Sequence, residues 1–85
     1  MIKILDFYAD WCNPCKQLDK ILDDFHDDKE IIIEKIDIEQ NDDLVEYYNI
    51  RNIPTLLLFK DEKLIDTITG VLPKAKLLAK INKLK

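Results

Sequence analysis

The chain of 85 residues is 47% hydrophobic and 35% charged, the proportions of a globular protein rather than a disordered one. At this length we expect a single domain, residues 1–85, because two domains would each be too small to bury a core. The formal net charge of −4 argues against nucleic acid or an anionic membrane as the main partner.

The first half of the chain predicts two strands and two helices. Residues 2–8, "IKILDFY", alternate between apolar and β-prone types and predict a strand. Apolar residues then recur at helical spacing over 14–26, and the proline at the start of that segment suits the first turn of a helix. Residues 31–37, "IIIEKID", predict a second strand, and 42–48 predict a short helix that opens with acidic residues.

The second half predicts a hairpin and a final helix. Pro54 precedes an apolar run, 55–60, that predicts a buried strand. Residues 63–69 follow across the dipeptide Asp-Glu, which is short enough for a tight hairpin. Gly70 ends this strand, and Pro73 opens a helix whose leucines and isoleucine lie on one face.

The order of the elements is therefore βαβαββα. The first two strands are joined through a helix and are expected to be parallel with a right-handed crossover. The last two form an antiparallel pair. The sequence predicts an α/β fold with a four-stranded mixed sheet and three helices on both of its faces.

The only two cysteines, Cys12 and Cys15, lie where the first strand meets the first helix. Backbone N–H groups at a helix N-terminus stabilise a thiolate, so we expect Cys12 to be an exposed nucleophile. Cys15 is about one turn further on, where its sulfur can close a disulfide with Cys12. The chain opens without a secretory signal, which predicts a cytoplasmic protein. In that compartment a close cysteine pair indicates redox or metal chemistry rather than a structural disulfide.

A zinc site is the metal-binding alternative for this motif. Tetrahedral zinc needs four ligands, and His26 is the only further soft ligand in the chain. His26 lies too far along the helix from Cys12 to share a metal ion, so it is expected to act as a cation near a helix C-terminus instead. A dimer that shares one metal ion between two cysteine pairs remains an alternative.

Two stretches, "LDFYADWCNPCKQL" and "IRNIPTLLLFKDEKLIDTITG", resemble the thioredoxin family over nearly the whole chain. The resemblance implies a minimal thioredoxin fold that lacks the strand and helix with which family members usually begin. The strand at 31–37 then becomes a free edge, and one face of the sheet is less well shielded. An exposed edge of this composition predicts weak self-association of an otherwise monomeric protein.

The resemblance also assigns roles to individual residues. Asp6 matches a buried acid beneath the disulfide, and Lys35 matches the lysine that neighbours it. Pro54 matches a cis-proline that faces the disulfide, and Ile53 matches the residue whose backbone pairs with an extended substrate. Three further positions match the apolar rim where partners dock: Trp11, Gly70 and Val71.

The chemistry of the site leaves three questions open. Burial raises the pKa of a carboxyl group, whereas a lysine beside Asp6 lowers it, so the net shift does not follow from sequence. Trp11 can be a core aromatic or a docking residue, and its place beside a reactive thiol favours docking. Asn13 stands where familiar members carry glycine, which leaves the reduction potential open.

The resemblance implies a thiol–disulfide oxidoreductase that reduces protein disulfides through Cys12 and Cys15. It needs no bound cofactor, and its partners are disulfide-containing client proteins and a reductase fed by NADPH, ferredoxin or another flavin-linked donor. A glutaredoxin-like activity with glutathione is one alternative. A binding subunit in which the thiols are incidental is another, and the same couple can oxidise its partners if its potential is high.

Overall fold

The computed structural model describes residues 1–85 and contains four strands and three α-helices. The strands are β1 (Ile2–Tyr8), β2 (Ile31–Asp37), β3 (Thr55–Lys60) and β4 (Lys63–Thr69), and the helices are α1 (Asn13–Leu22), α2 (Asp42–Tyr47) and α3 (Lys74–Lys83). All four strands lie where the apolar runs of the sequence predict them. None of the helices is long and apolar enough to cross a membrane.

The strands form one mixed sheet in the order β2-β1-β3-β4. β1 is parallel to β2, while β3 is antiparallel to both β1 and β4. The predicted four-stranded mixed sheet is therefore confirmed, with β2 at one edge. Because β1 has a neighbour on each side, Asp6 lies between Lys35 of β2 and Leu56 of β3 in the register of the sheet.

Helices α1 and α3 cover one face of the sheet and bury the larger part of the core. Side chains alternate between the two faces along a strand, and the odd-numbered face of β1 therefore points away from these helices. The buried side chains of the main core are Ile2, Ile4, Leu18, Leu22, Phe25, Ile31, Leu56, Leu58, Ile68, Leu77 and Ile81. Asp6 has the same parity as Ile2 and Ile4, so it points to the α1 side of the sheet.

Helix α2 covers part of the opposite face, so helices lie on both faces as predicted. Its Tyr48 cap packs against Phe7 and Phe59 with ring centroids 6.1 and 6.2 Å apart. The rest of this face is open. A groove of 720 Å³ runs over Leu5 and Phe59, and the neighbouring Ile32 of β2 is 43% exposed. The expected incomplete shielding of one sheet face is present.

The first helix is shorter than the sequence predicts. Instead of continuing to residue 26, α1 ends at Leu22 and a 3-10 turn follows over Asp23–Phe25. Two adjacent aspartates compete for backbone hydrogen bonds and disfavour a helix interior. Phe25 still packs into the core at 6% exposure, and the tighter turn brings it there. His26 caps this turn through a hydrogen bond from its N–H to the carbonyl of Asp23.

Candidate active site

The two cysteines form a disulfide at the N-terminus of α1. Cys12 is the N-cap residue, and its Sγ accepts a hydrogen bond from the N–H of Cys15 at 3.2 Å. Their Cα atoms are 5.3 Å apart, a usual separation for bonded cysteines. Pro14 lies in the first turn, where its missing N–H removes no helical hydrogen bond. The start of the helix therefore directs the N–H of Cys15 at the sulfur of Cys12, which favours its thiolate.

The expectation of an exposed Cys12 is wrong for the disulfide form. Cys12 is 5% exposed and Cys15 is 2% exposed. Both sulfurs lie in a small apolar cluster with Ala9, and Ile53 and Ile38 pack against that cluster. The bond to Cys15 holds the Cys12 side chain against these neighbours. Cys12 is still the more accessible of the two.

The loop before β3 lies against the disulfide. The Ile53–Pro54 peptide bond is cis, as the resemblance implies, and Ile53 packs against the cysteine cluster. The carbonyl of Pro54 accepts a hydrogen bond from the N–H of Gly70 at 2.8 Å. Gly70 has a φ of 82°, which is strained for any residue with a Cβ. The backbone N–H and carbonyl of Ile53 have no partner in the chain.

Two apolar side chains at the predicted rim are open to solvent. Trp11 is 65% exposed, so its interpretation as a core aromatic is wrong. Val71, which follows Gly70, is 37% exposed. Both side chains are therefore accessible to another molecule.

Asp6 is a buried carboxyl group without a hydrogen-bond partner. Its side chain is 1% exposed, and neither of its oxygens has a donor within reach. Burial raises the pKa of Asp6 from 3.8 to about 7, the negative charge of Asp19 adds to the rise, and the cation of Lys35 opposes it. The net pKa shift of Asp6, which the sequence left open, is therefore upward, because burial outweighs the attraction of Lys35. At neutral pH this carboxyl group is able both to accept and to release a proton.

Lys35 is beside Asp6 in the sheet, but its ammonium group binds elsewhere. Its Nζ lies 2.7 Å from Oδ2 of Asp19 and 4.4 Å from the centre of the Tyr8 ring. Burial lowers the pKa of Lys35, but the hydrogen bond and the charge of Asp19 outweigh this and the net pKa is raised. Sequence reasoning missed Asp19. A signal was available, since Asp19 follows Cys15 by four residues and so shares its helix face.

No group of three or more His, Cys, Asp or Glu side chains is placed to hold a metal ion. The two thiols, which would be the strongest zinc ligands, are bonded to each other. His26 instead lines a cavity together with Asp6, Asp19 and Lys35. The site is thus built for thiol chemistry supported by a buried acid.

A disulfide closed within about one helical turn at a helix N-terminus is typical of the thiol–disulfide oxidoreductases. The family model described as Thioredoxin matches residues 1–83. The chain belongs to the thioredoxin family.

Similar proteins agree with this assignment. The chain is 46% identical over 76 residues to the thioredoxin of Buchnera aphidicola subsp. Baizongia pistaciae, covering 87% of this chain and 70% of that protein. It is 38% identical over 81 residues to the thioredoxin of Chlorobaculum thiosulfatiphilum, covering 93% and 75%. Among solved structures, a mutant thioredoxin from Halobacterium salinarum superposes with a TM-score of 0.89 at 31% identity, covering 98% of this chain and 74% of that one.

The family and the disulfide together establish the activity. The protein is a protein-disulfide reductase whose redox-active centre is the pair Cys12 and Cys15. Its substrates are disulfides, and the oxidised pair is returned to dithiol by a reductase.

Proposed function

We propose that residues 1–85 act as one thioredoxin-like unit in the cytoplasm, with Cys12 as the nucleophile. The sulfur of Cys12 accepts an N–H from the first turn of α1, and this is the observation that carries the proposal. In the dithiol form the same N–H group and the positive end of the helix dipole favour the Cys12 thiolate over the thiol. The thiolate attacks a disulfide of the client protein. A bond forms between Cys12 Sγ and one client sulfur, and the other client sulfur leaves as a thiolate.

Cys15 then completes the exchange in this scheme. The thiol of Cys15 gives its proton to the carboxylate of Asp6, and the resulting thiolate attacks Cys12 Sγ. The second client sulfur leaves, and the Cys12–Cys15 disulfide forms. Two electrons pass from the cysteine pair to the client. A pKa of about 7 at Asp6 supports its role as acceptor, because the carboxyl group then exchanges protons near neutral pH.

The client is held on the rim of the site. The unpaired backbone groups of Ile53 support pairing with an extended client segment, beside Pro54. The exposed side chains of Trp11 and Val71 offer apolar surface to the client, and the N–H of Gly70 holds the loop through its hydrogen bond to the carbonyl of Pro54. Electrons return to the disulfide from a reductase that uses NADPH, ferredoxin or another flavin-linked donor.

Mixed-disulfide trapping tests the two cysteine roles. The variant Cys15→Ser is expected to accumulate a covalent complex with a disulfide-containing client, because the second attack is lost. The variant Cys12→Ser is the matched control and is expected to trap nothing. Trapping by Cys12→Ser and not by Cys15→Ser would reverse the assignment.

We also propose weak self-association of this otherwise monomeric protein through β2. The N–H of Ile2 bonds to the carbonyl of Glu30, and the N–H of Ile38 bonds to the carbonyl of Tyr8. The even-numbered residues at this edge therefore face β1, and the backbone groups of Ile33 and its odd-numbered neighbours point outward. A second copy of the chain can pair there, next to the exposed side chain of Ile32.

Sedimentation at millimolar concentration tests this second proposal. Dimers are expected to form weakly, and Ile32→Lys is expected to abolish them, since a lysine at an edge opposes strand pairing. The control is Ile65→Lys on the other edge strand, where the isoleucine is 51% exposed. A strict monomer at this concentration, or a loss of dimers only in Ile65→Lys, would refute pairing through β2.

A further inference from the structure

The ammonium group of Lys35 is bound to Asp19 although Lys35 is paired with Asp6 in the sheet. The two residues are Cα partners across the parallel β1–β2 ladder. Yet the ion pair of Lys35 is with Asp19, at 2.7 Å, and both oxygens of Asp6 lack a donor. The cation that would otherwise serve the buried acid is thus held by a carboxylate on α1.

The three groups share one cavity of 280 Å³. Its other lining residues are Leu22, Asp23, His26 and Ile33. Asp19 and Lys35 form the half-exposed part of its wall, with side chains 37% and 44% exposed. Asp6 is the buried part. The carboxylate of Asp19 therefore lines the same cavity as Asp6 and is the more exposed of the two.

The charged groups that face Asp6 come from each element packed around it. Helix α1 and the turn after it contribute Asp19, Asp23 and His26, and β2 contributes Lys35. The neighbour of Asp6 on β3 is the apolar Leu56. Of these groups only Asp19 is in contact with Lys35, and the ammonium group also lies over the ring of Tyr8.

We propose that Asp19 is a positioning residue that holds the Lys35 ammonium off Asp6 and so raises the pH at which Asp6 takes up and releases its proton. This inference rests on the proposed function, in which Asp6 accepts the proton of Cys15. Two effects act in the same direction. The negative charge of Asp19 disfavours a second carboxylate at Asp6, and its hydrogen bond keeps the neutralising cation away. Protonated Asp6 can in turn donate to Asp19, which two ionised carboxylates cannot do.

The substitution Asp19→Asn removes the charge and leaves the shape. Lys35 is then free to turn towards Asp6, and an opposite charge at close range lowers the pKa of a carboxyl group by about 1–3 units. We expect the midpoint of the Asp6 titration, followed by carbon NMR of its carboxyl group, to fall by at least about one pH unit. Asp19→Glu keeps the charge and is expected to restore most of the original midpoint. Asp23→Asn, on the same cavity but without an ion pair to Lys35, is the matched control and is expected to change the midpoint little.

A double substitution shows whether Asp19 acts through Lys35. In the background of Lys35→Met, Asp19→Asn is expected to move the Asp6 midpoint by clearly less than it does alone. An equal shift in both backgrounds, or no shift in the single variant, would overturn the inference. Because the NMR midpoint is read without any client present, this outcome does not depend on catalysis.

The rate of the resolving step separates the inference from the proposed function. A mixed disulfide is prepared on Cys12, and release of the client thiol is followed across pH. If the rate profile moves with the NMR midpoint, the inference about Asp19 and the proposed role of Asp6 are both supported. If the NMR midpoint falls in Asp19→Asn but the rate profile does not move, Asp19 positions Lys35 as inferred, and Asp6 is not the acceptor for Cys15.

Discussion

Replacing Asp6 with asparagine is expected to stabilise the oxidised protein, by an amount that grows with pH. Asp6 is 1% exposed and has no hydrogen-bond partner, so its ionised form is poorly solvated in the fold. Unfolding returns the group to water, where its charge is no longer penalised. The native state therefore binds a proton that the unfolded state has already released, over the pH range between the two pKa values.

The magnitude follows from those two values. The pKa of Asp6 is raised from 3.8 to about 7 by burial first and by Asp19 second. At about 1.4 kcal/mol for each pH unit, the difference corresponds to about 4 kcal/mol of lost stability above pH 7. Below the ordinary pKa of an aspartate both states are protonated and the penalty vanishes. Between these limits, the free energy of unfolding of the unsubstituted protein falls with rising pH when it is compared with that of Asp6→Asn.

Urea unfolding of the two disulfide-bonded proteins measures this effect. The advantage of Asp6→Asn is expected to increase by about 2 kcal/mol between about pH 5.5 and about pH 8.5. Both conditions lie above the pI of about 4.9, so the chain keeps a negative net charge. Effects of the new amide on packing are independent of pH and cancel in the comparison. The exposed Asp27, replaced by asparagine, is the control. An advantage that is the same at both pH values would refute the argument from burial.

Three other substitutions test the rim, the core and the loop. Trp11→Ala is expected to lower kcat/KM for a protein disulfide about tenfold while leaving a small aromatic disulfide nearly unaffected, and Tyr47→Ala, at 78% exposure away from the thiols, should change neither. Leu77→Ala removes a fully buried side chain and is expected to cost about 2–5 kcal/mol in thermal or urea unfolding, whereas Leu64→Ala, at 48% exposure, should cost far less. Gly70→Ala meets no atom within 4 Å, so it is expected to cost only the strain of its positive φ, about 1–2 kcal/mol; a much larger loss of stability would show a steric conflict instead.

The sequence by itself determined the four strands and the pairing of the two cysteines. The apolar runs placed all four strands at the observed residues, because period and composition are local properties of a strand. The spacing of Cys12 and Cys15 at the start of a helix indicated a disulfide couple for the same reason, since three residues span about one turn. The resemblance carried by the second half of the chain identified Pro54 and its cis bond, which no propensity would reveal.

The tertiary structure decided which charged side chains pair with each other and which site residues are exposed to solvent. The family resemblance placed Lys35 beside Asp6, but the ammonium group is bound to Asp19, which is far from Lys35 in the chain and was not among the predicted site residues. The exposure of Trp11 decided between the two roles that the sequence left open for it. The burial of Cys12 contradicted the expectation that this residue is exposed. Each of these properties depends on distances between residues on different elements. Electrostatic energy and solvent access depend on those distances. The distances are fixed only when β1, β2 and α1 have packed together.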